Sequence, residues 1–199
     1  MNPDHHFFLG LDLGLTTDPT ALAIIHRWDE PGPRNPVTWE FQSRRRYDLR
    51  YAERLPLGRT WTAIIDRVKC VLRHPDLKYP VSMAVDATSA SAVMEMLDHA
   101  NLGIHITPVI ITPGEHHGHG PTGIRVPRHL LLGALKASLE SGDLRICPGM
   151  MDLAPLTEEL SNIQINRKDK KDDLCFAVAL ALWRARLSPV GPVSGRPMF

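Results

Sequence analysis

A chain of 199 residues, 43% hydrophobic and 23% charged, has the length and balance of one globular domain with a real core. Its net charge of +1 excludes a protein that meets nucleic acid or membrane through overall charge, so any basic footprint must be local. No apolar run approaches the roughly 18 residues that span a bilayer, and the opening MNPDHHFFLG lacks a signal peptide's basic start, which predicts a cytoplasmic protein.

Residues 6–14 read as a strand, LTTDPT as a turn and ALAIIHRW as a second strand, with Asp18-Pro19 suited to a type I turn in an antiparallel hairpin. Three prolines and one glycine predict a loop over 29–36. A third, more polar strand follows over 37–47, nearer an edge. Helical spacing of Ile64, Ile65, Val68, Val71 and Leu72 predicts a helix ending before Pro75. YPVSMAVD is a short buried strand, 90–101 a helix, IHITPVIIT a strand and GEHHGHGPTG a loop. PRHLLLGALKASLESG is a helix opened by Pro127 and stopped by Gly142, and DLRIC is a short strand. DLAPLTEELSNIQI mixes helix with a final strand, and DDLCFAVALALWRARL is the last helix. This order predicts an α/β layered domain with a mixed sheet over 1–187, followed by a Pro/Gly-rich tail over 188–199. Cys70, Cys147 and Cys175 form no CxxC pair. Cys70 and Cys175 fall in apolar helical patterns and are expected in the core of a reduced protein.

Two isolated aspartates each close an apolar strand: Asp12 in HFFLGLDLG and Asp86 in VSMAVD. An ionised carboxylate in such surroundings is costly unless a cation or hydrogen-bond donors meet it. With period two, Asp12 shares a face with Phe8, Gly10 and Gly14, and Asp86 with Ser82 and Ala84. Small neighbours suggest room for an ion and a substrate backbone, and strand carboxyl ends are where open α/β sheets place ligands. Either aspartate alone reads equally well as a turn or cap residue; the matching faces point to a site. Asp172 and Asp173 open the last helix, one expected to cap it and the other to face a metal. Asp173 is preferred as ligand because a cap comes first. Carboxylates without His or Cys partners suit Mg²⁺ or Mn²⁺. Two such ions about 3.5–4 Å apart would serve phosphodiester hydrolysis.

These residues resemble the nuclease domain of phage terminase large subunits, a branch of the RNase H-like (retroviral integrase) superfamily. From residue 7 to 187, GLDLGLTTDPTALAII, MAVDATSASAVMEML, VIITPG, VPRHLLLGALKASLESGDLRI, LTEELSNI and DDLCFAVALALW are similar, in order, to the family's blocks. The resemblance implies an RNase H-like three-layer fold, a mixed central sheet with helices on both faces. It implies a DNA endonuclease whose ligands are Asp12, Asp86 and Asp172 or Asp173, cutting concatemeric viral DNA during packaging. The implied cofactors are two Mg²⁺ or Mn²⁺ ions. The implied partners are double-stranded DNA and a separate packaging ATPase, small terminase subunit or portal, in the cytoplasm of a bacterial host. The chain has no GxxxxGK[ST] phosphate loop, so the expectation is a nuclease domain without the ATPase: a split-gene product, a prophage remnant or an excised domain. Ser89 and Ser91 stand where the family has glycines, which implies weaker cleavage if those glycines admit a DNA backbone.

Arg44, Arg45 and Arg46 in RRRYDLR read as phosphate contacts or, equally, as solvated charge protecting a strand edge. Arg167, Lys168, Lys170 and Lys171 precede the acidic helix and would contact the backbone of DNA without reading sequence. His116, His117 and His119 lack a helix to align them and read as a solvated loop rather than a metal site. His5 and His6 read as surface residues, Thr16, Thr17 and Thr20 as turn residues, and Glu158 and Glu159 as exposed helix charge ahead of a supporting acid role. A Holliday-junction resolvase shares the fold and the acidic last helix, but the DPTA turn and VIITPG favour the terminase reading. A sugar-kinase or actin-like ATPase would need a second domain and a second phosphate hairpin. A degenerate DNA-binding or assembly module is the non-enzymatic alternative.

Overall fold

The computed structural model describes residues 5–14, 18–39, 41–88, 91–163 and 172–187. Thr16, Thr17, Ser89, Arg167, Lys168, Lys170, Lys171, most of the expected final strand and the tail lie outside the described residues, as does the side chain of Ser91. Strands β1 (His6–Asp12), β2 (Ala21–Arg34) and β3 (Phe41–Arg54) form an antiparallel meander. β4 (Val81–Asp86) runs parallel to β1, β5 (His105–Thr112) parallel to β4, and β7 (Gly123–Pro127) parallel to β5. Short β6 (Gly118–Gly120) and β8 (Leu144–Ile146) complete the eight-stranded order β6-β7-β5-β4-β1-β2-β3-β8.

Period-two alternation sends Phe7, Leu9, Leu11, Met83 and Val85 to one face. There they pack on α1 (Trp61–Leu72) and α2 (Ser91–His99) through Ile64, Ile65, Val68, Val93 and Leu97. Phe8, Ala84, Val109 and Val126 point the other way, onto α3 (Arg128–Glu140), α4 (Leu153–Ser161) and α5 (Asp173–Leu187). The expected three layers with a mixed sheet are therefore observed. Thr60 caps α1 by accepting from Ala63 N–H at 3.2 Å, and α3 gives way to Gly142 at φ 68°, where a side chain would be strained. No helix among the described residues is long and apolar enough to cross a membrane.

The last helix organises the site. Every residue of α5 from Asp173 to Trp183 is buried, as expected of a helix apolar on all sides. It lies along β1 and β2 beneath α3 and α4. A Cβ at Gly10 would come within 1.9 Å of Ala177 O and 2.7 Å of Ala181 N. The space over Gly10 is thus filled by the α5 backbone rather than left open. Helix and strand cannot part locally without moving the whole layer. Gly10→Ala is expected to destabilise the protein by about 3 kcal/mol or more, the upper end for an overpacked core, read as a lower urea midpoint with unchanged slope.

Four local expectations are corrected. The stretch 29–36 is not wholly a loop: β2 continues to Arg34, pairing Asp29 with Arg45 and Glu30 with Arg44, and the ladder shifts between Pro31 and Arg34, where two prolines withhold N–H groups. Part of the expected histidine loop forms the β6–β7 hairpin. Cys70 is exposed, because it lies two residues, about 200°, around the helix from Val68. Cys175 is buried as expected. His5 and His6 are half-buried: His5 stacks on His26 and Tyr79, and His6 on Phe8.

Candidate active site

Asp12 and Asp86 close neighbouring parallel strands, with Gly10 opposite Ala84 and Leu11 opposite Val85 in register. Each follows a residue of the α5-facing core by two positions along its strand, Gly10 and Ala84, so both carboxylates project toward α5. Asp173 stands four and eight residues before Ala177 and Ala181, the residues that meet Gly10, so its side chain faces β1. Asp172 immediately precedes the helix, and its carbonyl accepts the first helical bond from Phe176 N–H at 2.9 Å. Four acids from three distant segments thus meet at one end of the sheet.

Their electrostatics show the crowding. Burial pushes the Asp12 carboxyl well above the ordinary carboxylate range, and the charges of Asp86, Asp173 and Asp172 raise it further against an opposing Arg128. Burial also raises Asp173, to about 6, with Arg54 pulling it down and Asp172 and Asp18 pushing it up. Asp172 is raised by burial while Arg128 opposes. Asp86 is raised by burial, against hydrogen bonds from Thr88.

Three of the four acids, Asp86, Asp172 and Asp173, have a companion outside the quartet. Thr88 donates to Asp86 Oδ1 from its backbone N–H at 2.9 Å and from its hydroxyl, and that hydroxyl accepts from Ile111 N–H at 2.9 Å. Asp86 is thereby tied to β5. Arg128, at the start of α3, bonds Asp172 and lies 4.3 Å over the Phe176 ring. Arg54, at the end of β3, pairs with Glu159 and reaches Asp173 at 3.4 Å.

Glu159 corrects the expectation of exposed helix charge: its side chain is 6% exposed, whereas Glu158 is exposed. Its Oε2 accepts from Cys175 N–H at 2.9 Å, the third amide of α5. Asp172 therefore holds the cap position in the backbone, but a glutamate from another helix supplies the capping oxygen to that amide. Freed from that amide, the Asp172 side chain turns to Arg128.

Sequence reading missed Thr88, Arg128 and Arg54 as site companions and ranked a supporting role for Glu159 below exposed charge. Two left a signal. Thr88 follows Asp86 by two residues, the spacing at which an aspartate collects local donors. Arg128 is a cation at a helix start, against the macrodipole.

The donor set is carboxylate oxygen throughout, which suits a hard divalent cation, and Asp173 Oδ2 is buried without a hydrogen bond. The residues fit such an ion in chemistry. Among the described residues, no three His, Cys, Asp or Glu side chains are gathered closely enough to hold one as they stand. Asp86 is held by Thr88 and Asp172 by Arg128.

Arg44, Arg45 and Arg46, expected as phosphate contacts or as edge charge, stand apart from the acids. Arg44, Arg45 and Arg46 lie eight to ten residues up β3 from Arg54, roughly 30 Å at about 3.3 Å per residue. Arg44 pairs with Asp143 at 2.6 Å and Arg46 with Glu30 at 2.6 Å, while Arg45 donates to Arg186 O at 3.2 Å. His116 and His119 are exposed, and His117 lies 6.4 Å from the Trp183 ring.

No family model matches the chain, and no curated protein does. Solved structures do. The human cytomegalovirus terminase nuclease domain, Mn-soaked and inhibitor-bound, aligns over 92% of this chain and 84% of its own at 13% identity, with a TM-score of 0.57. The Mn-soaked form aligns over 90% and 82% at 15% identity (TM-score 0.56), and a third structure of that domain over 91% and 83% at 14% identity (TM-score 0.55). The chain has the RNase H-like α/β fold of these terminase nuclease domains.

Proposed function

We propose that this chain is a divalent-cation-dependent endonuclease of the terminase type, cleaving double-stranded DNA. The observation that carries this reading is the convergence of Asp12, Asp86, Asp172 and Asp173 at the carboxyl ends of β1 and β4 against the start of α5. The shared fold with a Mn-soaked nuclease domain supports it. Asp12, Asp86 and Asp173, with Asp172 beside them, would hold two Mg²⁺ or Mn²⁺ ions. Bound there, such cations supply charge neutralisation and a water made acidic enough to attack a phosphodiester.

The chain's own residues prepare that site. Thr88 and the β5 backbone fix Asp86. The close seat of α5 on Gly10 fixes Asp173 relative to Asp12. Arg128 and Arg54 balance the acids in the cation-free protein. Arg167, Lys168, Lys170 and Lys171 precede Asp172 in sequence, and we assign them backbone contacts with DNA, together with Arg44, Arg45 and Arg46 farther along the sheet. In this reading the protein works in the cytoplasm of a bacterial host on concatemeric phage DNA. A packaging ATPase, small terminase subunit or portal is its partner.

Purified protein is expected to nick and cut supercoiled plasmid with Mn²⁺ or Mg²⁺ and to be inert in EDTA. Asp86→Ala should be inert in both. Equal cleavage by wild type and Asp86→Ala would sink the assignment. A clear preference for four-way junctions over linear duplex would move it to the resolvases.

A further inference from the structure

Glu159 is a buried carboxylate with both oxygens committed. Oε1 meets the Arg54 guanidinium, and Oε2 accepts from Cys175 N–H at 2.9 Å in the first turn of α5. Arg54 is held at its other end as well, its backbone N–H donating to Asp152 Oδ2 at 2.6 Å just before α4. From that seat Arg54 Nε stands 3.4 Å from Asp173 Oδ2, yet neither atom makes a hydrogen bond. An arginine beside a carboxylate ordinarily grips it with two parallel bonds. Here the guanidinium is turned to Glu159, whose charge is favoured by the positive end of α5.

We infer that Glu159 is a positioning residue which diverts Arg54 from Asp173 while capping α5, leaving an Asp173 oxygen open to a divalent cation. The inference rests on the metal-site reading above and adds a group to it that touches neither cation nor DNA. Arg54 alone would close Asp173 in an ion pair that any cation must break. Glu159 alone would add a like charge to an already crowded cluster. Together they hold a neutralised pair beside Asp173 and brace the helix that carries it.

The test is a double-mutant cycle on the full chain, read as Mn²⁺ affinity by titration calorimetry and as melting temperature in EDTA. Glu159→Gln retains an oxygen for Cys175 N–H and loses the charge that holds Arg54. It should weaken Mn²⁺ binding about tenfold, a coupling typical of contacting groups, with little change in melting temperature. In the Arg54→Gln background the same change should alter affinity less than about threefold. A crystal structure of Glu159→Gln, which does not depend on the arginine variant folding, should show the guanidinium hydrogen-bonded to Asp173. Unaltered Mn²⁺ affinity in Glu159→Gln, an equal loss with and without Arg54, or an unmoved guanidinium would each overturn the clamp alone. Absence of Mn²⁺ binding by the wild type would overturn the metal site and the clamp with it.

Discussion

Asp12→Asn is expected to melt higher than the wild-type protein in EDTA while losing Mn²⁺-dependent cleavage. Asp12 lies in an environment that disfavours its charge, through burial first and then through Asp86, Asp173 and Asp172. Asparagine keeps the shape, removes the repulsion and retains an acceptor. The gain should be on the order of 1 kcal/mol, as for other strained functional groups made neutral, and a few degrees in melting temperature for a chain of this size. Cleavage should fall at least ~10²–10³-fold, the scale for removing a preorganised electrostatic group from a reacting centre. Saturating Mn²⁺ should reverse the order of melting, because only wild type gains binding energy from the ion. A variant less stable than wild type in EDTA would mean that donors hold Asp12 as a structural anchor.

The second large effect is a pH-dependent gap between wild type and Asp173→Asn. Asp173 has its folded pKa raised from 3.8 to about 6, mainly by burial. Between those values the folded protein binds more protons than the unfolded chain, so stability from this group falls as pH rises. The advantage of Asn should be near zero below pH 4, grow between pH 4 and 6, and level off above 7. Its plateau should be on the order of 1–3 kcal/mol. His26 opposes this trend in the raw curves: burial, then His5, lowers it to about 4, so its contribution is lost as pH falls below its ordinary value. That contribution is common to both proteins and cancels in the difference. Thermal melts in EDTA from pH 4 to 8 measure the gap. A gap that is flat or narrows with rising pH would contradict the burial of an ionisable Asp173 beside like charge.

Much of this arrangement was legible in the residues. Alternation along 6–12 and 81–86 correctly gave Asp12 and Asp86 matching faces of their strands, because a strand's two faces follow from parity alone, while the pairing of those strands came from the fold. The apolar run after Asp173 correctly marked the last helix, with Cys175 in the core. The basic stretch was less legible, for a local reason. Between Ile24 and Ile25 the register of β3 steps from Tyr51 to Leu49, leaving Arg50 as an extra residue. That bulge reverses parity, so Arg54 shares the α5 face with Ala52, while Tyr47 and Leu49 share it farther along. Strict alternation cannot show one inserted residue, and so it cannot place Arg54 on the face of the acids.

Local periodicity by itself determined which residues form strands and helices and the face on which Asp12 and Asp86 lie, since each follows from the repeat of one element. Only tertiary structure decided which partner each acid keeps. Glu159 reaches Cys175 and Arg54 across 16 and 105 residues of chain, and Arg128 reaches Asp172 across 44. Such pairings depend on where separately folded elements come to rest, and the α5 backbone seated against Gly10 sets how closely that helix meets the sheet.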